Sequence, residues 1–338
     1  MPYYVGLDVS METTAVCVLA SDGQIVCEGS VGSHAAEIAA KLLPYAESIE
    51  AIGLEAGPMS EWLVRGLQNQ GMQAVLMETR RVHAALSAIP VKTDRNDARG
   101  MAELLRMGWF QPVHMKTPRS RNLRLLLSAR ESLGRRMRDL DNSIRGLLRG
   151  FGLRLPSGLH GRIGAWAREL IEDNPILTTA IEPLLVSREA LAAQLSDLDK
   201  RLRAHARHDR ICRRLMTVPG VGAIVAVTYR TAVDDPARFP SSKSVAACFG
   251  LTPRRYQSGE TDRSGGITKA GDGGVRAALF EAAHVMMVRT SRWTPLKAWA
   301  MRIATRRGAK RAKVALARKL AVIMHRIWVD GTEFRCAA

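Results

Sequence analysis

The chain has 338 residues, 46% of them hydrophobic, so it can bury a sizeable core and is expected to form two or three domains, with no apolar run near the roughly 18 residues of a membrane span and no secretory signal. Its five scattered cysteines (Cys17, Cys27, Cys212, Cys248 and Cys336) form no CxxC pair or Cys/His cluster, which argues against a disulfide framework or zinc site and for a reduced, cytoplasmic setting. The net charge of +18 is split: residues 1–115 hold 8 Lys and Arg against 13 Asp and Glu, a net of −5, and the remainder holds 42 against 19, a net of +23, as expected for a cation-binding head on a body that binds a polyanion.

The first third reads as alternating strands and helices. "YYVGLDVS", "TTAVCVLAS" and "QIVCEGSV" predict three consecutive strands, with "SDG" as the hairpin turn between the second and third. "SHAAEIAAKLLPYAESI" has helical spacing and opens on a candidate Ser cap. "EAIGLEAG" is a short buried strand, "MSEWLVRGLQNQG" a helix closed by glycine, "MQAVLME" a strand and "DARGMAELLRMG" a helix. The order βββαβαβα, a hairpin start followed by alternating units, predicts a mixed α/β sheet of the ribonuclease H-like kind.

From about residue 118 to 205 the pattern is helical with one break. Leu123, Leu126, Leu133, Met137, Leu140, Ile144 and Leu147 fall on alternating spacings of three and four, interrupted by Arg130. Leu184, Leu191, Leu195, Leu198 and Leu202 repeat the pattern, interrupted by Arg188. Two such helices joined by a Pro/Gly stretch predict an antiparallel coiled coil or dimerisation arm, with the helices of an ordinary bundle as the plainer alternative. Domain boundaries are expected at 1–112, 113–205 and 206–338.

The last third is predicted mainly helical. "LMTVPGVGAIVAVTYR" has the turn of a helix-hairpin-helix, in which Gly220 and Gly222 would let backbone N–H groups approach a phosphate. "TPRRYQSGETDRSGGITKAG" reads as a hydroxyl-rich loop carrying Arg254, Arg255, Arg263 and Lys269, suited to bidentate phosphate binding. A hydroxyl held beside a phosphate can attack it, and Ser258, before Gly259, could project from a turn. The residues alone do not select it over Tyr256. The tail, "RIATRRGAKRAKVALARKLAVIMHRIW", is a basic amphipathic stretch whose Arg306, Arg307, Lys310 and Arg311 are candidate phosphate contacts.

Four acids carry the chemistry of the front. Asp8 and Glu55 end strands that lie side by side in this order, and Asp94 and Asp97 are one turn apart at the start of a helix, with Lys92, Arg95 and Arg99 around them. A helix crossing the strand ends would gather all four. Four carboxylates raise one another's pKa unless cations intervene, and hard oxygen donors suit Mg²⁺, two ions of which can act on a phosphodiester. The same first hairpin suits a sugar-kinase-type ATPase, but a helical, basic second half in place of a second α/β domain argues against it.

Together, "GLDVS", "GLEAG", "KTDRNDA", "VPGVG" and "FGLTPRRYQSG" with "ITKAG" resemble, in order and over nearly the whole chain, the DEDD transposases of the bacterial insertion-sequence family numbered one-ten. The resemblance implies a front domain similar to Holliday-junction resolvases, with Asp8, Glu55, Asp94 and Asp97 on Mg²⁺. It implies Ser258 as nucleophile, with a phosphoserine-linked DNA intermediate. It implies a structured guide (bridge) RNA that pairs with donor and target DNA, and a homo-oligomer, a dimer assembling to a tetramer. Serine and acids would form a composite site. The alternative is a stand-alone, Mg²⁺-dependent, structure-specific endonuclease of resolvase type that uses only the acids.

Overall fold

The computed structural model describes residues 1–158 and 162–335, so Cys336 lies outside the described residues. The chain divides into two compact units, Met1–Met115 and a second that starts at Lys116.

The first unit contains β1 (Tyr3–Val9), β2 (Thr13–Ala20), β3 (Ile25–Gly32), α1 (Ala35–Leu42), β4 (Ile49–Glu55), α2 (Ser60–Asn69), β5 (Ala74–Met77), α3 (Thr79–Leu86) and α4 (Asp94–Arg106). The five strands form one mixed sheet in the order β3-β2-β1-β4-β5. β1 is antiparallel to β2, and β2 to β3, while β4 runs parallel to both β1 and β5. The expected order stands, with the short α3 as an addition. Alternation along the strands splits the sheet into two faces. Val5, Leu7, Val16, Val18, Ile52 and Leu54 pack with Ile38, Leu42, Leu63 and Leu67 of α1 and α2. Cys17 and Leu19 turn the other way, onto Ala98 and Ala102 of α4.

One of two local expectations changes. Ser33 does not cap α1, whose N-cap is His34. Its buried hydroxyl is 2.8 Å from the Thr14 hydroxyl and donates to the Ser10 carbonyl, tying the start of β2 to the end of β3. The hairpin turn holds, with Gly23 in the left-handed region (φ 89°).

The second unit contains α5 (Pro118–Gly150), α6 (Ile163–Ile171), α7 (Pro175–His208), α8 (Arg210–Leu215), α9 (Ala223–Val233), α10 (Ser242–Cys248), a hairpin of β6 (Pro253–Ser258) and β7 (Thr261–Ile267), α11 (Gly273–Val288), α12 (Pro295–Arg307) and α13 (Ala309–Asp330). One core joins Leu123 and Leu202, at the ends of α5 and α7, to Tyr229, Phe249, Leu279, Leu316 and Leu320. α5 and α7 run antiparallel: Arg130 pairs with Asp199 and Arg188 with Asp141, so moving forward on one helix moves backward on the other. The two arginines that break the heptads are therefore cross-helix ion pairs, Arg188 being only 6% exposed. A charged residue at a core position, partnered in one alignment only, can fix register. Leu147 is not in the seam. It is 47% exposed, and Leu148 is buried with Ile144, Ile181 and Leu185, because an α-helix keeps its 3.6-residue period where α6 packs in.

Candidate active site and nucleic-acid interface

Two tetrapeptides build the acid site: Val5-Gly6-Leu7-Asp8 on β1 and Ile52-Gly53-Leu54-Glu55 on β4. The strands pair with Gly6 opposite Gly53 and Leu7 opposite Leu54. The leucines go to the α1/α2 core, so the glycines and the acids share the opposite face. There α4 lies at backbone contact. A Cβ on Gly6 would run into the Ala98 carbonyl oxygen and the Ala102 nitrogen, and one on Gly53 into Leu105 and Met77. The absence of two side chains sets the height of α4 over the sheet, and Asp97 immediately precedes Ala98. Thr93 starts the helix as N-cap by accepting from the Asn96 N–H, and Asp94 and Asp97 occupy its first turn.

The four acids are electrostatically one group. Asp8 is pushed up from 3.8 to about 6, first by burial and then by the charges of Asp97, Asp94 and Glu55, with Lys92 pulling the other way. Glu55 and Asp97 line one cleft of about 430 Å³ with Lys92, His83, Thr79 and Ser87. Asp94 is exposed and lines the neighbouring depression beside Glu28 and Arg95. The donor set suits a hard divalent cation, which would remove the repulsion that lifts Asp8. Among the described residues, no three acid, His or Cys side chains are drawn together tightly enough to grip one ion as they stand.

The basic neighbours around the aspartates have separate partners. Arg95 and Arg99 do not neutralise the aspartates. Both bind Glu28 on β3, with Arg95 Nε at 2.6 Å and Arg99 Nη2 at 2.7 Å from its Oε2. These contacts, that of Arg99 most of all, hold the Glu28 carboxyl down at about 2. The pair anchors α4 across the sheet, and among the described residues Lys92 is the Lys or Arg that lines the acid cleft. His83 and Thr79 were missed by the sequence reading because it assigned no element between the "MQAVLME" strand and the "DARGMAELLRMG" helix, where the short α3 presents them.

In the second unit, the stretch expected as a loop is a hairpin. Ser258 closes β6, pairs with Thr261, and precedes Gly259 in the left-handed region (φ 54°), so it stands at the tip of an exposed ribbon. Arg255 is engaged with Asp262 at 2.7 and 2.8 Å. Arg254 reaches the Thr268 carbonyl at 3.4 Å, and Lys269 follows the hairpin with φ 57°. Arg263 is exposed and makes no ion pair with any described residue. The close approach that Gly220 (φ 85°) permits is to Ala282 and Met286 of α11, so its glycine is explained by internal packing. Gly222 is exposed, with open space around it, as the N-cap of α9. The basic tail is two helices, broken at Gly308 (φ 82°). Arg306 and Arg307 end α12, Lys310 and Arg311 begin α13, and all four are exposed.

Comparison with known proteins agrees with this order of parts. The DEDD transposase model of the IS110 group matches residues 5–152, and the model described as "Transposase IS116/IS110/IS902 family" matches residues 212–298. The chain is 27% identical to the transposase for insertion sequence element IS1111A of Coxiella burnetii, over 98% of this chain and 91% of that one. It is 34% identical to a putative transposase, y4pF/y4sB, of Sinorhizobium fredii, over 73% of this chain and 65% of that one. It is 28% identical to the transposase for insertion sequence element IS1328 of Yersinia enterocolitica, over 84% and 85%. No described helix is long and apolar enough to cross a membrane. The acid-bearing sheet and the hydroxyl-bearing hairpin each fall inside one of these family matches, and the chain belongs to the IS110 family of transposases, enzymes that act on DNA.

Proposed function

We propose that this transposase exchanges strands between donor and target DNA under the guidance of a structured RNA, through the carboxylates Asp8, Glu55, Asp94 and Asp97 and the nucleophile Ser258. The observation that carries the reading is the Asp8 carboxyl, lifted by burial and by three neighbouring acids at one end of a mixed sheet, a charge cluster without a structural use of its own. The front unit is read as ribonuclease H-like, of the Holliday-junction-resolvase type, which agrees with the strand order β3-β2-β1-β4-β5.

The four acids would hold divalent cations, with Mg²⁺, two per site, suited to hard oxygen donors. Bound there, the cations would supply charge stabilisation to the attacking and leaving oxygens of a phosphodiester. The Oγ of Ser258 would form a bond to phosphorus as the bond from phosphorus to the leaving strand oxygen breaks. That conserves the phosphodiester energy in a phosphoserine, so rejoining needs no nucleotide triphosphate. Exposure at the tip of a ribbon gives the hydroxyl access to a duplex. Gly222, Arg254, Arg263, Lys269, Arg306, Arg307, Lys310 and Arg311 would contact phosphates; Gly220 contributes its turn, and Arg255 first has to leave Asp262. Lys310 and Arg311 face the unfavourable end of their own helix dipole, a cost that a bound polyanion would offset. With only 5% aromatic residues, the body suits backbone and shape recognition of RNA and DNA. The α5/α7 arm would join subunits into a dimer and then a tetramer.

The test is a strand-exchange assay with purified protein, Mg²⁺, element-end DNA, target DNA and co-purified host RNA, run on denaturing gels before and after protease. A protein–DNA adduct lost in Ser258→Ala, with joined product that requires the RNA, is the expected result. Free nicks without adduct or RNA dependence would establish the resolvase-type nuclease instead.

A further inference from the structure

The β6–β7 ribbon carries an aromatic ring that the chemistry above leaves without a task. Strand pairing determines which side chains share a side. Tyr256 lies opposite Arg263, and Ser258 opposite Thr261. Residues opposite one another in a ladder point the same way, as do residues two apart along a strand. Tyr256, Ser258, Thr261 and Arg263 therefore form one face. The other face holds Gln257 and the Arg255–Asp262 pair, whose charges cancel.

The first face is unsatisfied. Tyr256 is 67% exposed. An aromatic on a two-stranded ribbon normally packs across the ladder or onto a core. Here every residue of β6 is exposed, and the side chain opposite is an arginine without an ion pair to any described residue. An uncovered ring, an unpaired guanidinium and a hydroxyl on one face match three features of a DNA strand at a cut: a base, a neighbouring phosphate and the scissile phosphate. The scale agrees. Two residues along a strand span about 7 Å, and one nucleotide of stacked duplex rises about 3.4 Å, an unpaired one spanning more, so the ring lies within about two nucleotides of a phosphate at Ser258.

We propose that Tyr256 is a positioning residue that stacks on an unpaired DNA base beside the scissile phosphodiester, while Arg263 holds the adjoining phosphate. This rests on Ser258 as the nucleophile and adds what selects the phosphate that Ser258 meets. Any base offers a π-face, so the contact fixes position without reading sequence. Strand exchange supplies the unpaired base, because strands must leave one duplex before joining another.

The experiment uses the full-length protein with its co-purified RNA and element-end DNA carrying 2-aminopurine at each position flanking the cut in turn. Binding is read by fluorescence in a Ser258→Ala background, which stops the reaction before cleavage; adduct formation is read with Ser258 intact. One flanking 2-aminopurine should be quenched with Tyr256 or Tyr256→Phe and stay bright with Tyr256→Ala. Tyr256→Phe should form adduct at the normal rate. Tyr256→Ala should lower adduct yield at limiting DNA by about tenfold and spread cleavage over adjacent phosphates. The proposal is overturned if Tyr256→Ala keeps one cut site and the normal yield, or if Tyr256→Phe is as impaired as Tyr256→Ala. An adduct that survives Ser258→Ala but not Tyr256→Phe would make the tyrosine itself the nucleophile. An adduct that survives both would overturn the serine assignment, leaving the fluorescence to judge stacking alone. Because the ring touches no core, unchanged circular dichroism and melting in the Ala variant separate these outcomes from misfolding.

Discussion

In the first unit four acids are fixed by a helix pressed onto two glycine positions of a sheet; in the second, the candidate nucleophile rides on a ribbon whose side chains nearly all face solvent. Like charges that must stay close need packing strong enough to resist their repulsion. A hydroxyl that must find one phosphate on a long polymer needs reach and access instead. An isolated two-stranded ribbon is only marginally stable in water, whereas Gly6 against Ala98 leaves α4 no room to shift. The same contrast holds for the arginines: Arg95 and Arg99 are tied to Glu28, while Arg263 stands without a partner among the described residues.

The largest test of this contrast is Asp8→Asn. It should lower strand cleavage by about 10³-fold while making the fold more stable at neutral pH, because a strained charge is removed. The sign follows from the raised carboxyl. Its pKa of about 6 in the folded chain exceeds the ordinary 3.8, so the unfolded chain ionises first and stability falls as pH rises from about 4 to about 6. The fall is at most about 3 kcal/mol, and less after solvent screening of a half-buried group. Urea midpoints across that range should show the drop in the wild type and not in Asp8→Asn. Apparent affinity for a divalent cation should weaken below about pH 6, as the same carboxyl takes up a proton.

Second in size is Arg188→Ala. Leaving Asp141 without its partner on the α5/α7 seam should cost about 3–5 kcal/mol. The double variant Arg188→Met with Asp141→Leu should recover most of this in thermal melts and, if the pair sets register, should broaden the distribution of oligomers seen by light scattering. Third is Gly6→Ala, which must move α4 or bend β1. A loss of about 1–3 kcal/mol is expected, with loss of cleavage beyond what the melt accounts for, because Asp94 and Asp97 move with the helix. An unchanged cleavage rate would show that the height of α4 does not position the acids. The smallest is Arg255→Ala. Both partners are exposed, so stability should change little, while a freed Asp262 should weaken binding of element-end DNA in a salt-dependent way. Equal binding at low and high salt would remove this face of the ribbon from the interface.

Period and punctuation determined much of this protein from sequence: the strand order, the helix start at Asp94, the paired long helices and the split of charge, each a local property that packing had only to accept. The strand ends carrying Asp8 and Glu55 were legible too, and the repeated pattern of apolar residue, glycine, leucine and acid in "VGLD" and "IGLE" held the reason they meet. Tertiary structure decided what local pattern leaves open. Arg95 and Arg99 turn to Glu28 because the sheet brings β3 beneath α4, a contact between residues distant in sequence. The "PRRYQSGETDRSGGI" stretch pairs as a ribbon although its many polar residues and glycines read as a loop, since ladder hydrogen bonds do not depend on apolar alternation. The tail breaks at Gly308 because the chain there takes φ 82°, a left-handed value that glycine adopts without the penalty other residues meet and that an α-helix cannot continue through.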